Sequence, residues 1–319
     1  MSLIEQAAKR LEQLRQAGVE LPEDKFAQDL TEQVQVQKDT ELESRQPTSG
    51  SGAEVPRTVD DTRPKMPSSP TTKRVDLDLE AMAASGLLVP SQSRNMLANE
   101  LRVIKRPLIA NAMGKGATPV PNGNVIMVTS ALPGEGKSFT AVNLAISIAM
   151  ELDNTVLLVD ADVARPSILT MLGIPPGEGL LDLLKESSLD ISKVLLKTNI
   201  EKLSILPSGT PHPRATELLA SDAMIKLLDD MAKRYPDRII IFDSPPLLLT
   251  TEARALATHM GQIVIVVQSG ETTQAAVKEA VATIAACPLK MMVLNKATQS
   301  TSDRYGYGYA YGYGYGNER

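Results

Sequence analysis

A doubly wound α/β fold, with a mostly parallel sheet covered by helices on both faces, is what this sequence predicts. Three observations carry the prediction. Asn124 to Met150 reads as a buried strand (Val125-Ile126-Met127-Val128), a glycine-containing loop and an apolar helix. Strand patterns recur at 124–129, 155–160, 203–207, 238–243, 263–268 and 289–294, and helical patterns at about 137–150, 216–233, 252–260 and 272–286 alternate with them. Several strands are unbroken Val/Ile/Leu runs, the pattern of strands buried on both faces, and βα alternation builds a parallel sheet.

The first strand leads into Ser130-Ala131-Leu132-Pro133-Gly134-Glu135-Gly136-Lys137-Ser138. A GKS between a strand and a helix is the setting of a phosphate-binding loop. Gly134 and Gly136 let backbone N–H groups curl round a polyphosphate, and the helix N-terminus adds partial positive charge. Lys137 then reaches the β- and γ-phosphates and Ser138 a magnesium ion. Pro133, Gly134, Glu135, Gly136, Lys137, Ser138 and Phe139 form the expected nucleotide-binding stretch. The usual first glycine of the motif is Ala131 here.

Two later strands end in carboxylates. Leu157-Leu158-Val159-Asp160-Ala161-Asp162 delivers two at one edge, on the same side of an extended backbone, suited to a metal ion and a general base. The alternative for Asp160 and Asp162 is a cap or turn for Arg165-Pro166-Ser167. Arg238-Ile239-Ile240-Ile241-Phe242-Asp243 has the apolar-then-Asp pattern of a second magnesium-binding strand.

Composition narrows the classes. A net charge of −5 argues against general nucleic-acid binding. The lone cysteine, Cys287, excludes an intramolecular disulfide and a multi-cysteine metal site. No apolar run reaches the length of a membrane span, and no signal peptide is expected. There is no Trp, and six of the seven Tyr lie between Tyr305 and Tyr315, so the core is aliphatic and those tyrosines do not fill it.

Four regions are expected. In 1–38 an amphipathic helix over 2–17 aligns Leu3, Ile4, Ala7, Leu11 and Leu14. The Pro/Ser/Thr-rich stretch 39–75 reads as a disordered linker. The domain proper spans 76–298, opening with a basic helix over Ser91–Ile109, capped by Ser91 or Ser93 and limited by Pro107. A flexible tail spans 299–319.

SALPGEGKS, LLVDADVARPS and IIIFDSPP, closed by a tyrosine-rich C-terminus, together resemble the bacterial tyrosine kinases that regulate capsule and exopolysaccharide synthesis. SLIEQAAKRLEQLRQAG and ELRVIKRPL look most like the exosortase-associated tyrosine autokinase branch. The resemblance implies a P-loop ATPase fold related to the MinD and ParA partition proteins, with ATP and Mg²⁺ as cofactors. Lys137 and Ser138 then bind both. Asp160, Asp162, Asp243 and Ser138 form the metal site, and Asp160 or Asp162, with Asp160 favoured, assists deprotonation of the incoming tyrosine. Asn295, in VLNK, matches an adenine contact in related ATPases, or simply turns the chain. The family's E-x-x-R-x-x-R interface motif reads as Asn99, Arg102 and Lys105, with Glu100 and Arg106 adjacent, which implies a homo-oligomeric ring. Leu132 stands where the partition ATPases carry a lysine, which points to the kinase branch. The implied partners are a separate membrane chain-length determinant or polysaccharide co-polymerase and a tyrosine phosphatase. The implied location is cytoplasmic, against the inner face of the membrane through that partner.

The tail YGYGYAYGYGYG places Tyr305, Tyr307, Tyr309, Tyr311, Tyr313 and Tyr315 on one face of an extended strand. It reads as an array of phosphate acceptors, or as a sticky tract for assembly. The expected function is an ATP-dependent tyrosine autokinase that phosphorylates this cluster within an oligomer. The rivals are an ATPase switch without kinase activity and a nucleotide-binding regulatory subunit of a polysaccharide export complex.

Overall fold

The computed structural model describes residues 72–297 apart from 187, 235 and 236. The expected N-terminal helix, nearly all of the linker and the tyrosine tail lie outside the described residues. Eight strands form one sheet: β1 (Lys73–Val75), β2 (Val125–Ser130), β3 (Thr155–Asp160), β4 (Leu196–Thr198), β5 (Leu203–Leu206), β6 (Arg238–Asp243), β7 (Gln262–Gln268) and β8 (Leu289–Asn295). Their order is β1-β4-β5-β3-β6-β2-β7-β8. Every pairing is parallel except β4 with β5.

The apolar runs explain the sheet. Ile126, Val128, Val156, Leu158, Ile239, Ile241, Val264 and Val266 face one core, while Val125, Met127, Leu157, Val159, Ile240, Phe242, Ile263 and Ile265 face the other. Side chains alternate across a strand, so an unbroken apolar run feeds both layers. The described helices are α1 (Leu79–Ala84), α2 (Met96–Ala112), α3 (Lys137–Ala149), α4 (Ile168–Met171), α5 (Leu180–Lys185), α6 (Ile191–Val194), α7 (Ala215–Leu219), α8 (Asp222–Arg234), α9 (Thr251–Ala257) and α10 (Gln274–Thr283). Of these α3 is buried from Thr140 to Ala149, which matches its apolar character all round.

Several boundaries differ from the sequence reading. The three-residue strands β1 and β4 carry no apolar run that marks them, and β1 takes in the last residues of the stretch read as linker. The basic helix starts at Met96, because the side chain of Asn95, not Ser91 or Ser93, accepts from the Ala98 N–H at 2.7 Å. It also continues through Pro107 to Ala112. The carbonyl that Pro107 leaves without an i→i−4 donor belongs to Val103, whose side chain is exposed. The single helix expected over 216–233 is two, α7 and α8, separated at Ala220–Ser221, where the Ser221 hydroxyl donates to the Leu218 carbonyl at 2.7 Å.

Lys105, expected at a subunit surface, is buried inside the domain. Its Nζ donates to the Ser147 carbonyl at 2.5 Å and pairs with Glu151 at 2.8 Å, tying α2 to the end of α3. Partial burial alone would raise the Glu151 carboxyl, but the Lys105 bond and charge outweigh it, with Arg106 and Arg102 adding, and hold it below its usual value. Lys105→Met keeps the stem and removes the charge, so we expect a stability loss of about 2 kcal/mol, read as a lower urea midpoint.

Candidate active site

Three parallel strands bring their C-terminal ends together at one edge, where open α/β sheets bind ligands. β2 runs into the loop Ala131–Gly136, β3 ends at Asp160 and β6 ends at Asp243. In the sheet register Asp160 is the direct partner of Asp243, so two carboxylates stand side by side. Lys137, the first residue of α3, reaches over them. Its Nζ is 2.6 Å from Asp162 Oδ2, 3.7 Å from Asp243 Oδ1 and 3.2 Å from the Ser138 hydroxyl.

Two of the three acidic groups are partly committed to the fold. Asp160 Oδ2 accepts from the Ser167 and Ile168 N–H groups, both at 3.1 Å, and Asp162 Oδ1 accepts from the Arg165 N–H at 3.1 Å. The turn role and the site role are therefore shared between the oxygens of one carboxylate. Asp160 Oδ1 and both oxygens of Asp243 are buried without a hydrogen bond. Burial, then the Asp243 charge, pushes the Asp160 carboxyl up to about 7. Burial likewise raises Asp243 to about 6, against the opposing charge of Lys137.

Buried acceptors without donors mark an anionic cluster that a cation would satisfy. Among the described residues no three His, Cys, Asp or Glu side chains converge as a ready-made ion cage. That fits magnesium, which is commonly held by one or two carboxylates together with phosphate oxygens and water. Asp160, Asp243 and the Ser138 hydroxyl are the donor types this chemistry needs. Asp162 has both oxygens already engaged.

The loop itself is held from behind by contacts with distant parts of the chain. Glu135 is buried; its carboxylate accepts from the Leu132 N–H at 2.6 Å and from the Thr272 hydroxyl. Thr272 lies in the turn after β7, and its hydroxyl accepts from the Gln268 N–H at 3.1 Å. From the end of β8, the Asn295 side-chain amide donates to the Glu135 carbonyl at 2.8 Å, and Lys296 Nζ donates to the Gly134 carbonyl at 2.7 Å. Gly136 has φ +95°, and a Cβ there would collide with the Asn295 amide, so glycine is required twice over. Ala131 is fully buried and is not among the positive-φ residues, which explains why alanine replaces the usual glycine. Asn295 thus meets the loop directly. Phe139, expected among the nucleotide contacts, packs partly into the core beneath α2.

Thr272 and Lys296 had no sequence signature, since each acts through contacts between distant loops. Thr272→Val removes the donor to Glu135 while keeping the volume. We expect a KM for ATP raised about fivefold with kcat changed less, read from initial rates, because the loop's N–H groups lose their fixed aim.

Of the residues expected at a subunit surface, Asn99, Glu100, Arg102 and Arg106 are exposed on α2, and Lys105 is not. Arg102 donates to Asn99 Oδ1 at 2.7 Å and to the Ser93 carbonyl at 3.2 Å. No described helix is long and apolar enough to cross a membrane.

Fold and site together define a phosphate-binding-loop ATPase architecture, with the loop lysine set among carboxylates of neighbouring strands. Residues 123–296 match a family model described as an AAA domain. The tyrosine-protein kinase YwqD of Bacillus subtilis is 36% identical over 184 residues, covering 57% of this chain and 76% of that protein. The tyrosine-protein kinase wzc of Salmonella typhimurium is 31% identical over 150 residues, covering 47% of this chain but only 20% of that protein. Among solved structures, the chimerical protein CapA2B2 superposes with a TM-score of 0.57 at 28% identity, over 72% of this chain and 95% of that one. The chain belongs to the bacterial tyrosine-protein kinases.

Proposed function

We propose that this chain is an ATP-dependent protein tyrosine autokinase that phosphorylates Tyr305, Tyr307, Tyr309, Tyr311, Tyr313 and Tyr315 within a homo-oligomer and thereby regulates exopolysaccharide synthesis and export. The observation that carries the reading is Lys137 placed between Asp162 and Asp243 at the mouth of a braced phosphate loop. The kinase relatives and the tyrosine tail direct the reading to phenol acceptors.

ATP enters with its phosphates along the N–H groups of Gly134 to Ser138. Lys137 leaves Asp162 for the β- and γ-phosphate oxygens, a swap of one anionic partner for another. Magnesium, held by Ser138, Asp243 and Asp160, would neutralise phosphate charge. A tyrosine oxygen attacks the γ-phosphorus in line, the bond to the β-phosphate oxygen breaks, and ADP departs. The phenol proton goes to Asp162 Oδ2, which the movement of Lys137 has freed. Asp160 has one oxygen fixed by two backbone N–H groups and stands against Asp243, so the geometry favours Asp162 as base and Asp160 as metal ligand.

The oligomer presents the tail of one copy to the loop of another. The exposed Asn99, Glu100, Arg102 and Arg106 on α2 support such a contact. A membrane-embedded polysaccharide co-polymerase brings the kinase to the inner membrane face, and a phosphatase resets the tail. The test is incubation with Mg-ATP followed by intact-mass analysis and peptide mapping. Phosphate on 305–315 is expected. Phosphate release without tail modification, with the membrane partner supplied, would leave an ATPase switch instead.

A further inference from the structure

Met292 and Leu294, two of the seven exposed large apolar side chains among the described residues, lie on β8. β8 is the last strand of the sheet, so its outer backbone edge faces no other described strand. Exposed edges are normally blunted by charge or proline. Within β8 the only charge is Lys290, and its ammonium turns back to the Cys287 carbonyl at 2.5 Å. An edge of seven residues, five of them apolar, is thus left open to strand addition among the described residues.

The chain supplies a matching strand. Lys296 and Ala297 leave the end of β8, and residues 298–319 follow directly. Lys296 has φ +56° and is pinned to the Gly134 carbonyl and to Gln268, so the backbone is already bending as it leaves β8. The tail alternates Tyr with Gly or Ala, which puts every phenol on one face of a strand. Met291 and Val293 pack into the core beneath α2 and α3, so Met292 and Leu294 stand on the opposite face, exposed. Aromatic rings on a thioether and an aliphatic side chain are favourable cross-strand partners.

We propose that Tyr305–Tyr311 folds back on its own chain as an antiparallel strand along β8, with its tyrosines laid over Met292 and Leu294. Tyr305 then sits nearest the phosphate loop, and Tyr311 about 20 Å further down the strand. Docking parks the phenols away from the carboxylates and occupies an otherwise sticky edge. The docking does not depend on the kinase reading; its consequence for phosphorylation does. Each added phosphate brings charge to an apolar seat and opposes return of the tail.

Hydrogen exchange on the full, dephosphorylated, nucleotide-free chain tests this at two protein concentrations. Amides of 305–311 are expected to exchange about tenfold or more slower than in the free peptide, independent of concentration. Met292→Lys/Leu294→Lys should remove that protection and raise the initial rate of tail phosphorylation severalfold. If the double variant fails to fold, truncation after Ser302 should instead speed exchange at β8. Unprotected tail amides in the wild type overturn the proposal, as does protection that grows with concentration or survives in the folded double variant. Protection without any phosphate incorporation would sustain the docking and remove the kinase reading.

Discussion

Lys137→Met should reduce tail phosphorylation by about 10³-fold or more, because in the proposed mechanism the loop lysine meets the transferring phosphate. Intact-mass analysis after Mg-ATP treatment reads this directly. A second, less obvious effect follows from the geometry. In the structure Lys137 holds Asp162 at 2.6 Å and stands 3.7 Å from Asp243, with its own side chain only 12% exposed. Methionine fills the volume and leaves those carboxylates without their cation. The variant should therefore lose about 2–3 kcal/mol at pH 8, where Asp243 is ionised, and less near pH 5, where Asp243 is protonated. Transfer within tenfold of wild type would show that Lys137 does not contact the phosphates in the transition state. An unchanged urea midpoint at pH 8 would show that the buried acids are satisfied by another route.

The parts of this picture that could be read from the chain are those encoded locally. The six long strands, the phosphate loop and the strand-end carboxylates each occupy a contiguous stretch whose pattern has a direct physical meaning. A continuous Val/Ile/Leu run can only be buried on both faces, and Asp243 at the end of such a run has to sit at the sheet edge. What escaped detection depends on distance through space. Thr272 reaches Glu135 across 137 residues of sequence, and Lys296 reaches Gly134 across 162. No spacing rule announces such pairs. Lys105 departs for a related reason: a lysine on a basic helix usually points to solvent, and only the arrival of Glu151 from the turn after α3 turns it inward. Pro107 reads as limiting the helix near Ile109 because proline removes a donor. On the exposed side of α2 that loss is small enough for the packing of Leu101 and Leu108 to carry the helix onward.

Asp160→Asn should have opposite effects on activity and stability. Asp160 and Asp243 are register partners, both fully buried, and their carboxyls titrate near 7 and 6 rather than near 3.8. The folded chain therefore binds these protons more tightly than the unfolded chain. Their contribution to stability is complete below about pH 4 and is lost as pH rises through 6 to 7. Without nucleotide and metal, two adjacent anions remain buried above that range. Asparagine keeps an acceptor for the Ser167 and Ile168 N–H groups and replaces the facing anion with an amide. The nucleotide-free variant should gain about 2 kcal/mol at pH 8, or about 5 °C in melting temperature, less near pH 5 and nothing below about pH 4. Phosphorylation should fall by about 10³-fold, because one of the oxygens able to hold magnesium is gone. Thermal melts at the two pH values, with and without Mg-ATP, separate the effects: wild type should be stabilised by the ligand far more than the variant. A variant less stable than wild type at pH 8 would mean that Asp160 serves the fold through its turn alone. The site would then hold its charges without strain. Two buried acids that repel each other should cost stability, and the same repulsion favours the binding of a cation between them.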